Sequence, residues 1–296
     1  MDLISTLRYE AKKREEEASM SEERAGSLSL HPDLVDAFSL KGRVAVVTGA
    51  GKGIGEGAAF VFAQAGADVV LADVDKEGLD SACARIGELG VSATAVPTDV
   101  SQRAEVDALA RQAMDAHGRI DVWANVAGII PEGLIAEISE EAVRRVVDVN
   151  LLGTYWGCAA AARVMIAAGR GSIVNVSSAA GEGAAPNLSG YAMTKAGVNS
   201  ITRTLAAEAG RAGVRVNCVA PGFIDTPMNT RNVRDGEGNI DADKQKALFE
   251  LRAKMSPLGM IGQPSDIAYC MLYLAADASR FVTGQVVRPN GGIAML

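Results

Sequence analysis

From Arg43 to the C-terminus, short β-branched runs alternate with Ala-rich segments of helical period, and this alternation limits the possible folds more than any other feature. RVAVVTG at 43–49 is a continuous apolar run ending in glycine, as expected of a strand covered on both faces. The form returns in ADVVLAD (67–73), TAVPTD (94–99), DVWANVAG (121–128), GSIVNVSS (171–178), VRVNCVAPG (214–222) and QVVRPNGG (285–292). Helical patterns fill the intervals at 53–65, 76–89, 102–117, 139–168, 190–212 and 264–276. Such a sequence predicts an α/β fold: a parallel, seven-stranded sheet with helices on both faces. No low-complexity linker or internal repeat interrupts 39–296, so this stretch reads as a single domain.

Residues 1–38 differ in kind. YEAKKREEEASMSEERA at 9–25 is dense in alternating charge, the composition of a solvated helix or of a disordered extension. Two other readings stand beside it: an arm that packs on a neighbouring subunit through Leu3, Ile4, Leu7, Leu34, Val35 and Phe38, or translation that begins at Met20. The expected role is peripheral and non-catalytic.

Composition excludes several function classes. A net charge of −7 disfavours a nucleic-acid groove. The four cysteines form no CxxC pair, and His31 and His117 complete no recognised metal spacing with them, so reduced thiols and no metal are expected. The N-terminus lacks the apolar core of a signal peptide, and no run of about 18 apolar residues suggests a membrane span. The expected location is cytoplasmic, with no membrane partner.

TGAGKGIG at 48–55 follows the first strand and opens a helix. Its glycines allow a tight turn and close approach to a ligand, and the free N–H groups of the following helix suit a pyrophosphate. Asp73 closes the second strand twenty positions after Gly53, where a carboxylate accepts hydrogen bonds from an adenosine ribose. The same charge repels a 2′-phosphate, which favours NAD over NADP. Lys52, inside the turn, pulls the other way, but a carboxylate at the ribose edge both repels the phosphate and occupies its space.

The glycine turn, Asp99–Val100, NVAG at 125–128, Asn150, Ser178, YAMTK at 191–195 and PGFIDTPM at 221–228 follow one another in a single order. Together they resemble the short-chain dehydrogenase/reductase family over residues 39–296. Val126 replaces the second asparagine usual in the third motif, and Asn290 precedes the terminal glycine pair where aspartate is frequent. The resemblance implies a Rossmann-type doubly wound fold. It implies that Gly49, Lys52, Gly53, Ile54 and Gly55 surround the pyrophosphate, that Asp73 and Val74 meet the adenosine ribose, and that Asp99 and Val100 flank the adenine. Asn125, Ala127 and Gly128 would line the middle of the cofactor. Pro221, Gly222, Ile224 and Thr226 would meet the nicotinamide. Asn150, Ser178, Tyr191 and Lys195 would form the catalytic tetrad, with Tyr191 and Lys195 also touching the cofactor.

The chemistry is coherent. Hydride exchange at a carbinol carbon requires a proton to move on its oxygen. A free tyrosine has a pKa of about 10, and a neighbouring ammonium such as Lys195, together with the positive nicotinamide of NAD⁺, is expected to lower it. Ser178 would hold the substrate oxygen, and it lies thirteen residues before Tyr191, whereas Ser177 would face the other way in a strand. Asn150 would order a water beside Lys195.

Residues 226–263 would carry the substrate lid, helical over 241–254, with Arg231, Arg234, Met228, Met255, Leu258 and Met260 as candidate contacts. AAGEGAAPNL at 179–188 would form a pocket wall, with Glu182 its only charge. A wall of alanine and glycine suits a bulky, mainly apolar small-molecule alcohol or ketone. The Ala-rich faces of 139–168 and 190–212 suit close packing between subunits, as in a homotetramer. The alternatives are an NADPH-dependent 3-oxoacyl carrier-protein reductase and a non-catalytic dinucleotide-binding sensor on the same fold.

Overall fold

A computed structural model of the chain describes residues 30–233 and 239–295. The chain divides between Ala37 and Phe38 into two units. In the first, the described part opens a short helix, α1 (Pro32–Phe38), on which Leu34 and Val35 are exposed. The candidate arm residues Leu3, Ile4 and Leu7 lie outside the described residues.

The second unit is built on seven parallel strands: β1 (Val44–Thr48), β2 (Asp68–Asp73), β3 (Ala93–Pro97), β4 (Val122–Asn125), β5 (Gly171–Val176), β6 (Val214–Val219) and β7 (Val286–Val287). Their order across the sheet is β3-β2-β1-β4-β5-β6-β7. The strand order reverses between β1 and β4, and a crevice for ligands opens there at the strands' C-terminal ends.

The apolar runs are continuous because both faces are covered. Ala45 and Val47 of β1 enter one core with Phe62, Leu79, Ile267 and Met271, from α2 (Gly53–Gln64), α3 (Lys76–Gly87) and α9 (Pro264–Ala275). Val44 and Val46 enter the other core with Leu109, Trp123, Met165 and Ala209. That core is closed by α4 (Arg103–His117), α6 (Gly153–Ala168) and α7 (Ser189–Ala209). The two-residue alternation of a strand thus divides one run between two layers. Each large apolar side chain so buried contributes ~1.5–3 kcal/mol.

Three expectations are corrected. The helix read over 139–168 is broken into α5 (Glu140–Val146), a wide π turn over Val147–Leu152, and α6. The turn carries Asn150, and such widenings gather at functional positions. The combined run Glu140–Ala168 is also long and apolar enough to pass for a bilayer span, contrary to expectation. Here Cys158, Ala161 and Met165 bury its inner stripe against the sheet, as in a core helix. The last strand is shorter than QVVRPNGG suggests, because Pro289 has no N–H with which to extend the ladder.

Candidate active site

The crevice begins at the glycine turn. Gly49 has φ +69°, and a Cβ there would lie 2.7 Å from the Ala127 Cα; a Cβ on Gly55 would lie 2.0 Å from the Gly49 carbonyl oxygen. Only glycine lets the turn lie this close to the end of β4 and to itself. Thr48 joins the two loops: its hydroxyl accepts from the amides of Val126 at 3.1 Å and Ala127 at 3.3 Å. α2 then starts at Gly53 without a side-chain cap, so its first N–H groups remain for an anion.

Asp73 sits against this turn. Its Oδ2 accepts from the Gly51 amide at 2.9 Å and its Oδ1 from the Asp75 amide at 3.0 Å, which fixes the carboxylate beside the glycine turn. Val74, at 66% exposure, presents an apolar surface next to it. Lys52 Nζ lies 3.0 Å from Asp75 Oδ2, so its charge is answered locally. Asp75 also caps α3 through the Gly78 amide; that hydrogen bond and Lys52 hold its carboxyl below the ordinary value.

Asp99 and Val100 follow β3. Val100 packs on Gly153, and Asp99 accepts from both the amide and the hydroxyl of Ser101, at 2.9 and 2.7 Å. Beyond β6, Ala179 N–H donates to the Pro221 carbonyl, Gly222 packs against Asn290, and Ile224 is buried with its carbonyl bound by Asn229. The Thr226 methyl lies 3.3 Å from the Cβ position of Gly53, so this loop closes over the glycine turn.

The tetrad candidates converge on the ends of β4 and β5. Lys195 is 4% exposed, and its Nζ donates to the Val176 carbonyl at 2.8 Å. It lies 5.6 Å from the centroid of the Tyr191 ring. Gly128 comes next: its Cβ position is 3.7 Å from Lys195 Nζ and 3.3 Å from Asn150 Oδ1. Ser178 caps the turn Ala179–Gly181 through the Ala180 amide at 3.2 Å and hydrogen-bonds Tyr191. Ser177, one residue earlier, points inward and donates to the Lys195 carbonyl at 2.9 Å.

Residues 49–294 match the family described as enoyl-(acyl carrier protein) reductase. The chain is 38% identical over 256 residues to the 3-oxoacyl-acyl-carrier-protein reductase FabG of Thermotoga maritima, an alignment that covers 86% of this chain and 99% of that protein. It is 37% identical over 258 residues to 3beta-hydroxysteroid dehydrogenase 1 of Eggerthella lenta, with 86% and 95% covered. A gluconate 5-dehydrogenase from Burkholderia cenocepacia, solved with NADP and tartrate, superposes with a TM-score of 0.80 at 33% identity, covering 88% of this chain and 98% of that one. The chain belongs to the short-chain dehydrogenase/reductase family. As such it is an oxidoreductase that exchanges a hydride with a nicotinamide dinucleotide.

Within this short-chain dehydrogenase/reductase, several side chains behave differently from expectation. The Asn125 carboxamide faces the core: it donates to Asn175 Oδ1 at 2.8 Å and accepts from Trp123 Nε1 at 2.8 Å, leaving its backbone at the crevice. Asn150 binds the backbone of Ile129 twice, accepting at 2.8 Å and donating at 2.9 Å, so it sets the loop beside Lys195. In the protein by itself burial pushes Tyr191 up, against the pull of the Ser178 hydrogen bond. Burial likewise brings Lys195 down to about 8, because its own cation is poorly solvated.

Around the mouth, Glu182 is neutralised by Arg288 through two hydrogen bonds of 2.7 and 2.9 Å. Arg231 pairs with Glu132. Met228 is exposed, and Arg234 lies outside the described residues. Met255, Leu258 and Met260 instead line a hollow of about 300 Å³ with Phe223 and Ile293. Among the described residues no three His, Cys, Asp or Glu side chains gather to hold a metal ion.

The sequence reading missed Thr48, Asp75, Ile129, Glu132 and Arg288. Asp75 was detectable: an aspartate directly before KEGLDSACARIG is an N-cap signal, and it falls within reach of the turn lysine. Glu132 and Arg288 carry no local pattern; only the fold brings them to their partners.

Proposed function

We propose that the protein is an NAD(H)-dependent oxidoreductase of neutral secondary alcohols and ketones, with Tyr191 as acid/base. The observation that carries the cofactor preference is the pairing of Lys52 with Asp75 beside Asp73. Two carboxylates and one lysine leave the ribose edge net negative, which disfavours a 2′-phosphate. The groups present fit the dinucleotide: an uncapped helix N-terminus for the pyrophosphate, Asp73 for the ribose hydroxyls, and Lys195 for the second ribose.

The bound nicotinamide supplies or takes up the hydride. In reduction, the Tyr191 hydroxyl hands its proton to the substrate oxygen; burial keeps the phenol protonated until that moment. Ser178 holds the same oxygen by its hydroxyl and keeps it in line with Tyr191. As that proton leaves, the Lys195 cation nearby stabilises the negative charge that develops on the tyrosine oxygen; in oxidation the phenolate takes the proton back from the alcohol. Asn150 positions Ile129, and with it the loop that bounds Lys195.

The test is a spectrophotometric screen for reduced nicotinamide with NAD⁺ and NADP⁺ against secondary alcohols. Tyr191→Phe should abolish turnover and keep cofactor binding; full activity in that variant overturns the mechanism. Turnover by neither cofactor would favour the sensor reading. We further propose a homotetramer built on α6 and α7, supported by the exposed Tyr155, Ile166 and Met193; the alanines at 160–162, which the sequence suggested for close packing between subunits, are buried in the core of this chain instead. A stable monomer by light scattering would overturn it.

A further inference from the structure

Two stretches of chain leave the catalytic centre and meet again at its mouth. Residues 129–138 start from Ile129, held by Asn150 one residue beyond the glycine that abuts Lys195. Residues 226–233 start from Thr226, which lies against the glycine turn. Between them, Arg231 Nη2 and Glu132 Oε1 are 2.5 Å apart, while Arg231 Nη1 donates to the Met228 carbonyl at 2.5 Å. The third wall, 179–188, is tied to the first by the Gly133 amide, which donates to the Asn187 carbonyl at 2.9 Å. Its one charge, Glu182, is 6% exposed and paired with Arg288. Arg231 and Glu182, the two described charges that the sequence offers to a substrate at this mouth, are therefore both cancelled by partners.

We propose that Glu132 is a specificity-determining residue: by holding Arg231 it withholds a guanidinium from the substrate mouth and so biases the enzyme toward neutral substrates and against those bearing a carboxylate. This inference rests on the proposed alcohol/ketone reaction and narrows its substrate class. The physical basis is competition. Arg231 presents a planar fork matched to carboxylates, and an incoming carboxylate must displace one already in place while being repelled by it. The pair is reachable, with side-chain exposures of 33% for Arg231 and 48% for Glu132, so its bias is modest and sensitive to salt.

The experiment compares full-length wild type, Glu132→Gln, Arg231→Gln and the double variant on pairs of ketones that differ only in ending with a carboxylate or its methyl ester. Initial rates give kcat and KM; calorimetry on the enzyme–NAD⁺ complex, which holds no hydride to give a ketone, gives affinities without turnover. Glu132→Gln should raise the carboxylate-to-ester affinity ratio about fivefold, the scale of a half-exposed ion pair. The change should fall on KM rather than kcat, shrink in high salt, and vanish in the double variant. An affinity ratio that Glu132→Gln leaves unchanged overturns the inference, as does a gain that persists in the double variant. Binding of both ketones without turnover by wild type would instead overturn the proposed reaction, and the affinity ratios would still decide the role of Glu132.

Discussion

Lys195 holds its ammonium 2.8 Å from the carbonyl oxygen of Val176, the last residue of β5, in a site where burial brings its pKa down to about 8. The lysine is thus fastened to the end of the strand that leads into Ser178, and the cation and the hydroxyl are placed by the same few residues.

This has a consequence for stability. An unfolded lysine titrates near 10.4, so between about pH 8 and 10.4 the unfolded chain binds a proton that the folded one has released, and stability attributable to Lys195 rises with pH across that window. Thermal melts of wild type and Lys195→Met from pH 7 to 10 check this: the wild-type Tm should gain on the variant's as pH rises. A constant difference would mean that Lys195 is not depressed.

Cofactor choice should respond to Asp75 as well as Asp73. Asp75→Asn keeps the helix cap but frees the Lys52 charge, and kcat/KM with NADP should rise about two- to fivefold, the scale of one screened ion pair. Asp73→Ser should shift the preference further. Steady-state kinetics with both cofactors provide the measurement; an unchanged ratio in both variants would remove the carboxylates from the ribose edge.

Gly55→Ala places a methyl where the Gly49 carbonyl oxygen already sits. The turn must open, at a cost of about 1–3 kcal/mol, typical of forced overpacking. Dinucleotide affinity, followed by fluorescence of the reduced cofactor, should be lost before the sheet itself melts. Full-strength binding would contradict the geometry of the turn.

Asn150→Leu removes both hydrogen bonds to Ile129, whose half-buried amide and carbonyl are left without them, a loss of about 1 kcal/mol for each bond. Turnover should fall more than cofactor affinity does, because the damage lies at the Lys195 end of the crevice. Asn150→Asp, which keeps one acceptor for the Ile129 amide, should retain more activity than Asn150→Leu.

Period and punctuation made the fold legible. Runs such as RVAVVTG and GSIVNVSS, short, β-branched and closed by glycine or serine, read as strands buried on both faces, and glycines at 118 and 169 end helices where the pattern stops. The crevice was legible for the same reason, since its residues sit at the ends of those runs. Side-chain direction was not. Asn125 lies at a strand end like Ser178, yet its amide turns under the sheet toward Asn175 because Trp123 and Asn175 offer it partners there. Nor was the π turn at Asn150, which depends on Ile129, a residue 21 positions away. Charge state was hidden too: burial decides it at Tyr191 and Lys195, and burial belongs to the assembled sheet.

Glu182 and Arg288 stand 106 residues apart in the chain. One follows the fifth strand and the other the seventh, so their pairing waits until the seventh strand has left the ribosome. Until then the wall beside Ser178 carries a bare carboxylate, and a nascent chain that already contains Tyr191 and Lys195 still lacks a finished mouth. Contacts this distant in sequence form late and slowly. Catalytic competence therefore waits on the segment after the seventh strand, and recovery of turnover after dilution from denaturant should lag behind recovery of helical signal.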